Sequence, residues 1–354
     1  MRLDLKFFKK SKSLAIDNFF KNVLYDKKFG YYSSKNPLGE GGDFITSPKI
    51  SQLFSEIISI WIISSWKVLG KPKLLNIVEL GPGDGSYIKV LLEVSKNFPE
   101  FNSAIKIYLH EASSYLKEIQ KKKIKNKKIK WIKDFNNLKK GPVIFFGNEF
   151  FDAMPIKQFR RKQNFIYEKY FTLTKGNYIK EEYKKAKKED IKIINSYKIF
   201  KNQKFIELPK CGLKKLKMIT KTLTRLKGCI LLIDYGYSNP ANQNTLQSVM
   251  KNKKNRLLDN LGKADITSHV NFSILKEFFL KNELKVKKVI SQRDFLMNMG
   301  IIQRANLLSK KMKFREQTNL YLRLKRLLSQ NLMGQLFKVI LAYKNKRNNF
   351  FGFN

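Results

Sequence analysis

Carboxylate side chains stand at the ends of several short apolar runs in this sequence. Glu79, Glu111 and Asp134 each close such a run, and Glu149 and Asp152 follow another. In an open α/β sheet, ligands bind in the crevice beyond the carboxyl ends of the strands, so these acids are predicted to meet in one site. There they could accept hydrogen bonds from hydroxyl groups, pair with a cation, or take up a proton.

A glycine-rich turn follows the run that contains Glu79. Gly81, Gly83 and Gly85 precede a helical pattern that begins at Ser86. Such a turn lets a ligand lie against bare backbone and meet the N–H groups of the helix start, although a plain tight turn also uses glycine. A dinucleotide fingerprint requires its third glycine at position 86, which disfavours an NAD-linked oxidoreductase. The spacing instead resembles motif I of class I S-adenosylmethionine methyltransferases.

Three further acids are candidate contacts of such a cofactor. Glu111 lies where an acceptor would hold the ribose hydroxyls, and Asp134 is a candidate for the adenine side of the pocket. Asp43 belongs to a Gly-Gly-Asp-Phe arm that would reach over the cofactor. The alternatives are a carboxylate at a helix N-terminus for Glu111, a plain surface position for Asp134, and a simple helix start capped by Ser47 for the arm.

The turn after the fourth apolar run carries the groups predicted to act on the substrate. Asn148, Glu149 and Asp152 should face the reactive end of the cofactor. Methyl transfer depends mainly on alignment of the nucleophile, and carboxylates could hold a guanidinium and take up the proton that methylation releases. The alternative is a buried polar turn before a helix that starts at Met154 and has Pro155 in its first turn.

Apolar runs that alternate with helical patterns predict an α/β fold, with a Rossmann-like, seven-stranded, mostly parallel, doubly wound sheet whose last strand can run antiparallel. The strands are predicted at residues 73–80, 104–112, 129–134, 141–152, 227–237, 283–291 and 334–344. The same pattern predicts an N-terminal helical cap at 1–72, a doubly wound domain at 73–155 and 227–354, and an insertion after the fourth strand, at 156–226. The methyltransferase resemblance implies that the cap carries an active-site loop, that the doubly wound part is the methyltransferase domain, and that the insertion recognises the substrate.

Composition narrows the possible functions. The chain has 72 Lys and Arg against 28 Asp and Glu, a formal net charge of +44, but 61 of the basic residues are Lys. Because nucleic-acid recognition favours Arg, we interpret the lysines as a solvated surface. Two Cys and two His supply neither a disulfide framework nor a His-rich metal site, so no metal is expected. The sequence shows no membrane-spanning stretch, signal peptide or clear transit peptide, which predicts a bacterial-type cytoplasmic location.

Eight segments, taken together, resemble the MidA family of methyltransferases, which are assembly factors of respiratory complex I. They are FGYY (29–32), GGDFITSPKISQLFSE (41–56), VELGPGDG (78–85), NEFFDAMPIKQF (148–159), LLIDYGY (231–237), TLQSV (245–249), DITSHVNF (265–272) and MGQLFKV (333–339). The resemblance implies S-adenosyl-L-methionine as methyl donor and, in the mitochondrial branch, an arginine of a complex I core subunit as target. It also implies cofactor contacts for Glu79, Gly81, Gly83, Gly85 and Glu111, with the substrate side at Asn148, Glu149 and Asp152.

Three hypotheses remain open at this stage. The first is a protein methyltransferase that acts on arginine. The second, prompted by the +44 charge, is an RNA methyltransferase, although nucleic acid is not the expected partner. The third is a non-catalytic assembly factor that keeps the fold. The sequence predicts no oligomeric state.

Overall fold

The computed structural model describes residues 5–8, 11–34, 47–126, 128–176, 178–239 and 242–353 of the chain. Asp43 lies outside these ranges. Within them the chain forms the strands β1 (Ser13–Ala15), β2 (Leu75–Leu80), β3 (Ile105–His110), β4 (Ile129–Trp131), β5 (Val143–Asn148), β6 (Lys157–Lys162), β7 (Phe165–Leu173), β8 (Ile179–Lys185), β9 (Phe205–Leu208), β10 (Gly228–Tyr237), β11 (Gln247–Met250), β12 (Lys253–Asn255), β13 (Asp265–Thr267), β14 (Val270–Asn271), β15 (Lys285–Val286), β16 (Ile290–Ser291) and β17 (Phe337–Lys344).

The helices connect and cover these strands. They are α1 (Ile16–Tyr25), α2 (Tyr31–Ser34), α3 (Ser47–Ile50), α4 (Gln52–Val68), α5 (Ser86–Lys96), α6 (Pro99–Ala104), α7 (Ser114–Lys123), α8 (Lys188–Ser196), α9 (Lys210–Leu226), α10 (Phe272–Lys281), α11 (Gln292–Asn298), α12 (Ile301–Ser309) and α13 (Phe314–Leu328). None of the helices in the described ranges is both long and apolar enough to cross a bilayer.

The main sheet has the strand order β15-β17-β10-β5-β2-β3-β4. Strands β2, β3, β4, β5 and β10 run parallel to their neighbours in this group, and β17 runs antiparallel to β10. From β2 the chain first builds outward through β3 to β4 and then in the opposite direction through β5 to β10. This reversal is a topological switch point, where open α/β sheets bind ligands at the strand carboxyl ends.

Helices cover both faces of the sheet, so its central strands are buried on both sides. Ile77 packs on one face with α4, α5 and the helices α11 to α13. Val78, the next residue, packs on the other face with α9 and α10. The alternation explains why β2 is buried along its whole length and why four of its six residues are apolar.

Among the described residues, the main sheet has nine strands instead of the seven that were predicted. The predicted strand 283–291 forms two short strands, β15 and β16, which both pair with β17. Val286 lies opposite Ala342 and Ile290 opposite Val339, so this side has one more residue than its partner, a β-bulge. The two-residue strand β14 pairs with β10 and completes the nine.

Two smaller sheets lie outside the main one. Strands β1, β7, β6 and β9 form an antiparallel sheet, with β8 beside β7, and β12, β11 and β13 form another. Phe19 and Phe20 of α1 pack against Phe171 of the first sheet and Ile266 of the second. The N-terminal segment therefore contacts both, while the domain boundaries at 72, 155 and 226 stay a prediction.

Candidate active site

A cavity of about 450 Å³ opens at the carboxyl ends of β2, β3 and β5. This volume lies in the range of small-molecule and cofactor sites, about 300–1,000 Å³. Its lining includes seven of the residues predicted from the sequence, namely Glu79, Gly81, Gly83, Glu111, Asn148, Glu149 and Asp152.

The glycine turn forms one wall of this cavity. Gly81, Gly83 and Gly85 all have positive φ, at 64°, 54° and 79°, a region that favours glycine. A Cβ on Gly81 would lie 3.0 Å from Cδ2 of Phe150, and one on Gly85 would lie 2.5 Å from Cδ1 of Ile124. Gly85 is not itself in the lining but is the N-cap residue of α5, so it sets the direction in which that helix leaves the cavity.

Glu79 places a carboxylate at the buried end of β2. Its Oε2 has no hydrogen-bond partner among the described residues. Burial raises the pKa of Glu79 well above its ordinary value, and the nearby charges of Asp84 and Glu111 raise it further. A buried, unpartnered carboxylate oxygen in a cavity wall is an acceptor for a ligand hydroxyl or amine.

Glu111 is held in place by groups that leave it facing the cavity. It accepts hydrogen bonds from the backbone N–H of Ser113, at 2.8 Å, and from Nε2 of Gln120, at 3.3 Å. Burial raises its pKa, while these two donors lower it.

Gln120 joins Glu111 to the glycine turn, a role that the sequence reasoning missed. Its Nε2 also donates to the carbonyl of Gly83 at 2.7 Å, and its Oε1 accepts from Nε1 of Trp131 at 2.8 Å. The sequence did contain a signal for this role. Gln120 is four residues after the buried Leu116, so a polar side chain lies on the packed face of α7.

Asn148 and Glu149 lie at the end of β5. Oε1 of Glu149 accepts from the backbone N–H of Ser47 and from Nδ2 of Asn148, each at 3.1 Å. Burial and the neighbouring Asp152 raise the pKa of Glu149 to about 7. Oδ1 of Asn148 has no hydrogen-bond partner in the described part of the chain.

Asp152 completes the acidic pair. Its Oδ2 accepts a 2.6 Å hydrogen bond from the hydroxyl of Tyr235, and its Oδ1 has no hydrogen-bond partner within the described ranges. Burial raises the pKa of Asp152 to about 6, and the Tyr235 hydrogen bond partly opposes that rise. Asp234 fixes the turn by accepting from the backbone N–H groups of Phe151, at 2.8 Å, and Asp152, at 3.3 Å.

Besides Gly85, two predicted cofactor residues are not among the described residues that line this cavity. Asp134 does not line it, and its carboxylate instead accepts from the backbone N–H of Asn136 at 2.8 Å. Asp43 lies outside the described residues. Both assignments stay predictions.

The cavity wall is acidic although the protein is strongly basic. Its carboxylates are Glu79, Asp84, Glu111, Glu149, Asp152 and Asp265, whereas Lys21 and Lys215 are its ammonium groups. Asp84 pairs with Lys123 at 2.7 Å, and Lys215 contacts Nε2 of His110 at 3.0 Å. Burial and Lys215 lower the pKa of His110 to about 4, so this imidazole is neutral near pH 7. The wall thus favours a cationic ligand.

Comparison with known proteins identifies the family. Residues 57–290, about two thirds of the chain, match the model of a family described as S-adenosyl-L-methionine-dependent methyltransferase. The chain belongs to this family. S-adenosyl-L-methionine is therefore the cofactor of this methyltransferase.

Named relatives match along most of the methyltransferase. The mitochondrial protein arginine methyltransferase NDUFAF7 of Xenopus tropicalis is 28% identical, with 94% of this chain and 83% of the relative covered. The human protein of the same name is 27% identical, covering 83% and 72%. The fold resembles a crystal structure of a Burkholderia thailandensis protein bound to S-adenosyl-homocysteine, with a TM-score of 0.81, 20% identity, and coverage of 97% and 89%.

These relatives correct one expectation. Their names place them in mitochondria, which contradicts the bacterial-type cytoplasmic location predicted from the sequence. That prediction rested on the residue composition of the N-terminal segment, which is only an indirect indicator of targeting.

Proposed function

We propose that this methyltransferase transfers the methyl group of S-adenosyl-L-methionine to an arginine side chain of a protein. The observation that carries the proposal is the pair of carboxylates of Glu149, which is half-buried, and Asp152, which is buried; both line the same cavity as the glycine turn. The names of the relatives, protein arginine methyltransferases, support the same substrate class.

The residues on the β2 and β3 side of the cavity fit the cofactor. The unpartnered Oε2 of Glu79 and the carboxylate of Glu111 would accept from its hydroxyl groups. Gly81 and Gly83 line the cavity and would let the cofactor approach bare backbone, and Gly85 would set the start of α5 beside it. Asp43 and Asp134 are retained as further proposed contacts. When bound, the cofactor supplies a methyl group on a positively charged sulfur, which is open to attack by a nucleophile.

The residues at the end of β5 would hold the arginine. The Oδ1 atoms of Asp152 and Asn148 have no hydrogen-bond partner among the described residues and would accept two N–H groups of a guanidinium, and Glu149 would accept another. An arginine nitrogen that gains a methyl group must also release a proton. A carboxylate whose pKa is raised toward 7 accepts that proton more readily than an exposed one.

The proposed target is a core subunit of respiratory complex I, which the family resemblance implies. Mass spectrometry of those subunits, from host cells with and without this gene, tests the target. We expect a 14 or 28 Da increase, or both, on one arginine that disappears when the gene is deleted. Unchanged subunits would contradict the target while leaving the reaction open.

The reaction class is tested separately in vitro. Purified protein is incubated with methyl-labelled S-adenosyl-L-methionine and matched substrates: an arginine peptide, the same peptide with lysine, and structured RNA. We expect label in methylarginine after acid hydrolysis of the arginine peptide alone. Label in RNA at low salt would favour the RNA methyltransferase, and cofactor binding without transfer to any substrate would favour the non-catalytic assembly factor.

A further inference from the structure

A second apolar face runs along α13, away from the core. Phe314, Tyr321 and Leu322 lie on one side of this helix because they are seven and eight residues apart, and their exposed fractions are 84%, 42% and 59%. Leu307 of α12 is 60% exposed. The opposite stripe of α13, with Leu324 and Leu327, packs in the main core. Helix α13 therefore has two apolar faces: one packs in the core, and the other is exposed.

Helices α12 and α13 form a hairpin and are joined by side-chain hydrogen bonds. The Tyr321 hydroxyl contacts Oδ1 of Asn306 at 3.0 Å and Oγ of Ser309 at 3.3 Å, which ties α13 to α12. A shallow groove of about 360 Å³ follows the exposed stripe from Phe314 to Lys325. The exposed apolar side chains of α13 therefore lie along one continuous groove on the protein surface.

Positive charge surrounds this stripe. Residues 301–329 contain eight basic residues and a single acidic one, Glu316, and they hold four of the 11 arginines of the chain. Glu316 is already engaged, because it accepts from the backbone N–H of Lys313 at 2.9 Å. The cations at the tip have no carboxylate partner in the described part of the chain, namely Lys310, Lys311, Lys313 and Arg315.

We propose that the α12–α13 hairpin docks on an anionic lipid surface. Exposed aromatic and aliphatic side chains rimmed by Lys and Arg match helices that lie in the headgroup region of a bilayer, with the apolar side inserted and the cations on the phosphates. Phe314 is adjacent to the lysines of the tip, so both interactions can form together.

The charge disfavours a second copy of this chain as the occupant. A two-fold interface would bring the same patch of each subunit face to face. Here that arrangement places unpaired cations opposite unpaired cations, which is unfavourable. An anionic surface neutralises them.

The hairpin also connects to the cavity. Arg326, in the last turn of α13, is close enough to lower the pKa of Glu149 by its charge. Docking through the tip would therefore orient the cavity relative to the membrane surface. The proposal does not depend on which residue is methylated.

Vesicle flotation of the full chain tests this proposal. The vesicles are phosphatidylcholine alone or phosphatidylcholine with 30% phosphatidylglycerol, at about 0.15 M salt to screen long-range attraction. The test variant is Phe314→Ser/Leu322→Ser, which keeps every charge. The matched control is Phe165→Ser/Leu280→Ser, which removes two exposed apolar side chains elsewhere.

We expect the wild type and the control to float with anionic vesicles and the test variant to bind at least about tenfold more weakly. Lys310→Ser/Lys311→Ser/Lys313→Ser should weaken binding by about 100-fold, because each lysine near the anionic surface contributes to the attraction. Melting curves confirm that all variants are folded. Equal binding by wild type and Phe314→Ser/Leu322→Ser would overturn the proposal, since the +44 charge alone would then explain it. If Phe314→Ser/Leu322→Ser abolished a dimer of the protein but left its lipid binding unchanged, that result would also overturn the proposal.

Discussion

Tyr235 hydrogen-bonds to Asp152, one of the two carboxylates proposed to hold the arginine. Its hydroxyl donates to Oδ2 of Asp152, a residue of the cavity lining, and Oδ1 has no hydrogen-bond partner among the described residues. The same hydrogen bond lowers the pKa of Asp152, which burial raises to about 6. Removing the hydroxyl group of Tyr235 should therefore change the pKa of Asp152.

We predict that Tyr235→Phe shifts the acidic limb of the pH–rate profile upward. In the wild type, kcat/KM for an arginine peptide should rise between about pH 6 and 7, as Asp152 and Glu149 ionise, and level off near pH 8. Without the phenol, Asp152 ionises at higher pH, so the rise moves to higher pH while cofactor affinity is kept. An unchanged profile would show that Tyr235 has only a packing role.

Glu149→Gln should separate activity from stability. The pKa of Glu149 is about 7 in the folded protein and close to 4.5 in the unfolded protein. Between pH 4.5 and pH 7, Glu149 is therefore more protonated in the folded state than in the unfolded state. Stability contributed at this position therefore falls as pH rises from 4.5 to 7. Glutamine keeps an acceptor for Ser47 and Asn148 but cannot ionise, and we expect slower methylation with a higher melting temperature at pH 8 than the wild type.

Thermal melts at pH 5 and pH 8 check this expectation. The stabilisation by Glu149→Gln should be larger at pH 8, where the wild-type carboxylate is charged. Glu118→Gln, in an exposed i, i+3 pair with Lys121, is the control and should leave both melting temperature and activity nearly unchanged. Equal stabilisation at both pH values would contradict a raised pKa.

At the level of elements, the turn between β2 and α5 depends on glycine for two separable reasons. Gly85 in this turn and Gly70, which follows α4 and serves as a comparison, both have positive φ, at 79° and 92°. A Cβ on Gly85 would meet Ile124 at 2.5 Å, whereas one on Gly70 would have nothing within 4 Å. The two sites therefore distinguish backbone strain from close contact.

We predict that Gly70→Ala costs about 1–2 kcal/mol, the strain of the left-handed conformation alone. Gly85→Ala should cost more, and it should also weaken binding of S-adenosyl-L-methionine because it displaces the start of α5. Denaturant unfolding and calorimetric titration measure the two effects. Equal losses of stability with intact cofactor binding in both variants would contradict this assignment of the turn.

The sequence predicted the elements that repeat a simple pattern. Buried strands such as β2 and β10 are short, mostly apolar segments bounded by turn residues, so their place and order could be predicted from the sequence. The bulge between β15 and β16 was not predictable, because it depends on the register against β17, about 50 residues away. Long-range pairing of this kind leaves little local trace.

The same limit applies to the site. The acids at strand ends could be predicted because sheet topology gathers them. The partners that set their proton affinity could not, because Tyr235 reaches Asp152 and Gln120 reaches Glu111 from elsewhere in the fold. The sequence marked the segment around Tyr235 as a motif, but only the structure gives its contact.

For the whole molecule, a buried charge cluster joins the inserted sheet to the N-terminal helix. Lys157 of β6 contacts Glu168 of β7, Asp190 of α8 at 3.3 Å, and Asp17 of α1 at 3.8 Å. Lys210 adds a second cation at 2.6 Å from Asp190. Glu168 and Asp190 are fully buried, so their charges depend on these lysines.

We predict that Lys157→Met destabilises the fold by about 3–5 kcal/mol, because it leaves buried carboxylates without their shared cation. Lys96→Met breaks an exposed pair with Glu93 and should cost less than about 1 kcal/mol. Urea unfolding of both variants at pH 7 measures the difference. A cost for Lys157→Met as small as for Lys96→Met would mean that the cluster does not hold the segments together.

The net charge of +44 belongs to the protein as a whole, whereas the charged residues that line the cavity are mainly acidic. The cavity concentrates six carboxylates drawn from a total of 28 acidic residues, in a protein with 72 basic ones. This contrast suits a cationic side chain beside a sulfonium cofactor. The central claim is therefore that Glu149 and Asp152 receive the arginine, while Glu79 and the glycine turn hold the cofactor.

Transfer of labelled methyl groups by Glu149→Gln/Asp152→Asn, combined with calorimetry of S-adenosyl-L-methionine binding, tests this claim most directly. We predict that the double variant binds the cofactor within about threefold of the wild type, a difference below 1 kcal/mol, but loses at least about 100-fold in methylarginine formation. Full transfer activity in the double variant would contradict the claim.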